Sequence, residues 1–99
     1  MDLAQARTEF LAYVAVERGL SVNTLDAYTR DLEGYLLWLN GKKITLPNQV
    51  TRSDVEEYIG SLRDLGMAPA SVERHAAALR NFHKFMAVEQ ICESSPAED

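Results

Sequence analysis

Leu25, Tyr28, Leu32, Tyr35 and Leu39 recur at alternating intervals of three and four, and Leu36 widens the stripe they form. That spacing follows the 3.6-residue turn of an α-helix with one side turned to a core. A helix of this length cannot bury such a stripe alone and needs other helices or a sheet to cover it. Three further segments show the same period: Leu3, Ala6, Phe10, Tyr13 and Val14; Val55, Tyr58, Ile59, Leu62 and Leu65; and Val72, Ala76, Leu79, Phe82 and Met86. A chain of 99 residues suits one hydrophobic core. The expected fold class is therefore all-α, a compact bundle of four helices with no evident internal repeat.

Local signals place the boundaries. The first helix runs from about Asp2 to Glu17 and ends at Gly19; Ser21 or Asn23 caps the second, which Asn40 and Gly41 stop. Residues 41–50 contain Lys42, Lys43 and Pro47 and have no helical period, so they form a connector with Ile44 or Leu46 tucked into the core. Thr51 caps the third helix with Asp54 three residues on, and Gly66 closes it. The fourth begins at Pro69, with Ser71 as an alternative cap, and reaches about Val88. Residues 1–88 make up the domain and 89–99 an acidic linker or frayed tail.

The net charge of -5 argues at first sight against a nucleic-acid partner, which draws on Lys and Arg. Glu89, Glu93, Glu98 and Asp99 carry four of those five charges, so the packed part is nearly neutral and binding depends on local patches. The single Cys92 has no disulfide or metal-site partner, which fits a reducing intracellular setting. No signal peptide and no apolar run of about 18 residues is present, so no membrane role is expected. His75 and His83 stand eight apart on one helix without acidic or Cys companions, so no metal or cofactor site is assigned and His83 is expected to be a packing residue. Tyr13, Tyr28, Tyr35 and Tyr58 fall on core-facing registers, which argues against a nucleophile; no catalytic residue is assigned.

The fourth helix is the one long segment with a positive balance: Arg74, Arg80 and Lys84 against Glu73, with Ser71 and Asn81 nearby. A helix fits the DNA major groove, where Arg reads guanine and Asn reads adenine while Lys and Ser position the backbone. Three bases on one helix are also ordinary for any soluble protein. The second helix turns Thr24 and Arg30 away from its stripe behind Asn23, where a phosphate would meet free N-terminal amides; equally, Asn23 caps and Arg30 pairs with Asp26. Lys42 and Lys43 extend the positive surface or simply keep a loop wet. Gly34 permits close approach of a neighbouring helix or is merely tolerated. Leu37 and Trp38 lie off the centre of their stripe and either cover the loop after the helix or form part of an interface with a missing domain; Phe85 lies off its own stripe, with the same ambiguity and no partner given by the sequence.

The order of residues resembles the N-terminal core-binding, SAM-like domain of Xer-type tyrosine recombinases and phage integrases. The resemblance spans nearly the whole chain: FLAYVAVERGLSVNTLDAYTRDLEGYLLWL at 10–39, TRSDVEEYIGSLRDLG at 51–66, SVERHAAALRNFHKFM at 71–86 and SPAED at 95–99. It implies orthogonal rather than simple up-and-down helix packing. It also implies a non-catalytic DNA clamp that grips one face of a recombination half-site, with Asn23, Thr24 and Arg30 of the second helix and Ser71, Arg74 and Arg80 of the fourth at the DNA. Asn81, Lys84, Lys42 and Lys43 join that set from helix geometry and charge. The partners implied are a double-stranded DNA half-site, a C-terminal catalytic domain of the same protein and other recombinase protomers, in a cytoplasmic, nucleoid-associated setting. Pro96 and its neighbours resemble the start of an interdomain linker, as in an excised domain. Glu73 and the acidic tail make the surface less basic than a strong independent binder requires. The alternative is a helical protein–protein interaction module, since the same architecture serves both roles.

Overall fold

The computed structural model describes residues 1–97. Four helices follow in order, α1 (Leu3–Glu17), α2 (Val22–Gly41), α3 (Arg52–Asp64) and α4 (Pro69–Val88), with one 3₁₀ turn at Pro47–Gln49 between α2 and α3. Side chains satisfy the free amides of three helix starts. The Asp2 carboxylate accepts from the Gln5 amide while the Gln5 side chain accepts from the Asp2 amide, a reciprocal box that opens α1. Ser21 rather than Asn23 caps α2, its hydroxyl accepting from the Thr24 amide at 3.2 Å, so Asn23 sits inside the first turn. Thr51 and Asp54 make the same reciprocal box on α3. Pro69 opens α4 without a side-chain cap, and Ser71 lies within the helix. Gly19 and Gly66 carry the chain out of α1 and α3 at φ of 57° and 83°, where a Cβ would strain the backbone.

Both α2 and α4 pack against each of the other three helices. Their buried stripes supply Leu32, Tyr35, Leu39, Leu79, Phe82, His83 and Met86, which close on Phe10 and Val14 of α1. Phe10 meets Phe82 and Phe85 with ring centroids 5.6 and 5.5 Å apart. The connector is tied to α1 by the Leu3 amide, which donates to the Thr45 carbonyl. Ile44 packs at the core edge while Leu46 stays exposed. An ideal Cβ on Gly34 would lie 3.2 Å from the Tyr58 hydroxyl, so this glycine does accommodate a close neighbour.

The single-helix projections fail at the edges of the stripes. Tyr13 is not a core residue: it is 38 % exposed and lies over Phe85, which thereby gains the partner its own register did not suggest. Leu65 caps the C-terminus of α3, past its last turn, and is 82 % exposed. Trp38 leans on Tyr58, while Leu37 faces out. After α4 the chain doubles back. The amides of Ile91 and Cys92 donate to the Met86 carbonyl, Cys92 is buried, and the Glu93 amide reaches Asn48 Oδ1 at 3.0 Å. Packing therefore continues past Val88; Glu98 and Asp99, counted above with the acidic tail, lie outside the described residues. Among the described residues no helix is long and apolar enough to cross a membrane.

Candidate nucleic-acid interface

The seam between α2 and α4 carries polar contacts that lock the two helices in register. Asp31 sits on the buried side of α2, its side chain only 4 % exposed. Arg74 of α4 reaches it with both arms of its fork: Nε donates to Oδ2 at 2.9 Å and Nη2 to Oδ1 at 3.1 Å. His75 Nε2 lies 3.3 Å from the same Oδ1. The hydrogen bond to Asp31 raises the Arg74 pKa, whereas burial lowers that of His75 against the opposite pull of Asp31. The ion pair thus rests on the arginine. Two turns further along α4, Asn81 Nδ2 donates to the Tyr28 hydroxyl of α2 at 3.3 Å. Arg74 points away from the Leu79 and Phe82 stripe of α4; its inner edge folds across the seam and its outer part remains in water.

Around this seam lie most of the residues singled out from the sequence. Asn23 and Thr24 are exposed at the start of α2, with Thr24 Oγ1 accepting from the Ser21 hydroxyl. Arg30 is exposed, and the alternative pairing with Asp26 is not formed: the ion pairs of the described residues leave Arg30, Lys43, Arg80 and Lys84 without a carboxylate. Lys84 shares a shallow recess of about 90 Å³ with Asn81, Arg18 and Phe85. Ser71 is half-buried.

Arg80 and Lys42 are not brought to the seam, and Lys43 lies past the C-cap of α2. Arg80 turns to the other flank of α4, where it lines a groove of about 250 Å³ with Arg52, Glu56 and Arg63 of α3 and with Pro96 and Ala97. Lys42 faces α3: its ammonium donates to Glu57 at 2.9 Å and Asp54 at 3.2 Å, and sits 4.7 Å over the Trp38 ring. The bond to Glu57 leads the upward shift of the Lys42 pKa. Burial works to raise Asp54, but the bonds from Thr51 and Lys42 outweigh it and hold the carboxyl below its usual range. Lys42 is a tie between the α2 end and the α3 start.

Asp31 was missed as a functional residue, although its signal was available. It stands three residues after Tyr28 and four before Tyr35, on the apolar stripe itself, and a carboxylate there demands a buried cation or donor. Among the described residues no group of three His, Cys, Asp or Glu side chains is placed to hold a metal ion.

The fold is thus a small all-α domain whose two central helices are joined by a polar seam. The profile of the phage integrase N-terminal SAM-like domain matches residues 8–90, and the chain belongs to that family. Individual relatives sharpen the likeness. The chain is 35% identical to the tyrosine recombinase XerD of Oceanobacillus iheyensis over 96 residues, covering 96% of this chain and 32% of the relative. It is 36% identical to the tyrosine recombinase XerD of Chlorobaculum tepidum over 90 residues, 91% of the chain and 29% of the relative. With that of Listeria monocytogenes it shares 40% over 79 residues, 79% of the chain and 27% of the relative. The chain spans about a third of the length of these curated relatives. No solved structure gives a significant match.

Proposed function

We propose that this domain is the DNA-clamping part of a site-specific tyrosine recombinase or integrase, gripping one face of a double-stranded half-site without itself cutting DNA. Strand cleavage belongs in this reading to a catalytic domain that follows in the same protein, and other protomers on the DNA complete the assembly. Residues 89–99 then lead toward that domain. The observation that carries the proposal is the α2–α4 seam, which sets the start of α2, with Asn23, Thr24 and Arg30, beside a helix bearing Arg74, Asn81 and Lys84. One helix presented to a groove with flanking backbone donors is how small helical domains hold DNA. Ser71 and Lys43 extend the same contact, and Arg80 reaches the backbone from the far flank of α4. The cations are few, so affinity rests largely on phosphate contacts and falls with salt.

The test is a fluorescence-anisotropy titration of a half-site duplex at several salt concentrations, with this chain and with a protein that carries the following domain. Weak, salt-sensitive binding by the chain and tighter binding by the longer protein is the expected result. Tight binding indifferent to salt, or none by the longer protein, overturns the reading. A second reading, a helical protein-interaction module, draws on the exposed Val16, Leu37, Leu65 and Val88. Retention of a protein partner by a chain that never shifts DNA would favour it.

A further inference from the structure

Asp31 is buried and is not a DNA group in the reading above, yet it determines where the Arg74 guanidinium points. An arginine on an exposed helix ordinarily samples many rotamers and loses that freedom when a ligand fixes it. Arg74 is already fixed, because Nε and Nη2 are both held by one carboxylate whose side chain is 4 % exposed. His75, itself nearly buried, stands against the same Oδ1. The guanidinium carries five N–H groups in a planar fork. Two point at Asp31, which leaves the Nη1 group and the outer Nη2 hydrogen without an acceptor among the described residues, on a side chain that is 45 % exposed. Those outer hydrogens are parallel donors, matched to two acceptors side by side, as phosphate oxygens or guanine O6 and N7 provide.

We infer that Asp31 is a positioning residue: it holds Arg74 by the inner edge of its fork so that the outer edge is presented to DNA in one preset orientation. This rests on the DNA-clamping reading. The carboxylate also tempers the local positive charge, so the arrangement trades long-range attraction for a defined direction at close range. A lysine could satisfy the charge of Asp31 but could not hold the carboxylate and offer a second pair of donors at once.

The test is a double-mutant cycle on the full 99-residue chain, read by anisotropy with a fluorescein-labelled mixed-sequence duplex at low salt, after circular dichroism and melting. The variants are Asp31→Asn, Arg74→Ala, their combination and Arg74→Lys, with Arg7→Ala as a control for removing a cation elsewhere. The expected result is that Asp31→Asn weakens binding about tenfold, close to the loss from Arg74→Ala, and adds nothing once Arg74 is gone; tenfold corresponds to about 1.4 kcal/mol. Arg74→Lys then binds as poorly as Arg74→Ala, while Arg7→Ala loses less. Unchanged or tighter binding by Asp31→Asn overturns the inference, since the carboxylate would then only compete with DNA. An equal further loss from Asp31→Asn in the Arg74→Ala chain overturns it too, because Asp31 would be acting through the fold. If Asp31→Asn does not fold, Arg74→Lys decides: binding at the wild-type level sinks the idea. If the wild-type chain alone does not bind at low salt, the same variants are read in the protein that carries the following domain, and no binding there removes the DNA-clamping reading itself, a result distinct from all of these. Selection from a randomised duplex pool separates the two acceptors: loss of a guanine preference in Asp31→Asn marks a base edge, and an unchanged sequence profile marks phosphate.

Discussion

The Tyr35 hydroxyl and His83 Nε2 share a hydrogen bond of 2.8 Å inside the core, with both side chains fully buried. Burial pushes the tyrosine upward and the histidine down, to about 4, so both are neutral at ordinary pH. His83 Nδ1 is buried without a partner among the described residues. The pair joins α2 to α4 through one bond and leaves one ring nitrogen unsatisfied.

The costs of truncating the two partners should therefore not add. Tyr35→Phe strands His83 Nε2 and should lower stability by about 1 to 3 kcal/mol, whereas Tyr35→Phe combined with His83→Leu should cost less than the sum of the single changes. Urea denaturation of the four chains measures the coupling. Strict additivity would mean that the bond contributes nothing.

Acid should expose the same histidine. The unfolded chain takes up its proton near the ordinary histidine value, while the folded chain resists until about pH 4. Stability is thus intact above the ordinary value, declines as pH falls between the two, and has lost the full contribution below the folded value. The span from 6.5 to about 4 corresponds to about 3 kcal/mol, and His75, also lowered by burial, acts in the same direction. Urea midpoints from neutral pH to pH 4 should slope less steeply in His83→Leu than in the wild type.

Gly34 and Tyr58 give a test of packing in the middle of α2. Alanine in place of a mid-helix glycine gains about 0.5 to 1 kcal/mol, but here the new methyl would stand 3.2 Å from the Tyr58 hydroxyl. Gly34→Ala should raise the melting temperature in a Tyr58→Phe chain and raise it less, or lower it, when Tyr58 is intact. An equal gain in both backgrounds would show that the hydroxyl yields freely.

Lys42 and Lys84 should separate in DNA binding. Lys42 is held by Asp54, Glu57 and the Trp38 ring, and Lys84 has no ion pair among the described residues. If the clamp reading holds, Lys84→Ala weakens binding and flattens its salt dependence by about one unit of slope. Lys42→Ala leaves both unchanged. A larger loss from Lys42→Ala would place the DNA on the α3 side.

How far these features could be foreseen depended on how local their cause was. Leu32, Tyr35 and Leu39 announce a buried stripe because the helical period is written in adjacent turns, and the Thr51–Asp54 box is a signal three residues long. Arg74 is different. Its projection on α4 correctly turned it from the Leu79 and Phe82 stripe, but its partner stands 43 residues earlier, and no single-helix projection reveals what a long side chain can reach. Lys42 fails for the same reason, with Glu57 fifteen residues away. Tyr13 and Leu65 show the opposite limit: both fit their stripe by period, yet the neighbouring helices cover a narrower band than the pattern, and α3 stops before Leu65. Asp31 was legible as an anomaly, an acid between Tyr28 and Tyr35 on an apolar face, but not as half of a pair.

The doubling back of the chain after α4 makes Cys92 a built-in reporter. Its thiol is buried, its pKa is raised by that burial, and its Sγ donates to the Ser94 carbonyl at 3.3 Å. A maleimide or disulfide reagent requires the exposed thiolate, so it can react at speed only when the segment holding Ile91, Cys92 and Glu93 lifts from the bundle. The labelling rate of the untouched chain is therefore a clock for that excursion. Run with and without DNA, it would time whether this segment loosens or tightens when the α2–α4 seam is engaged, without adding a probe to the protein.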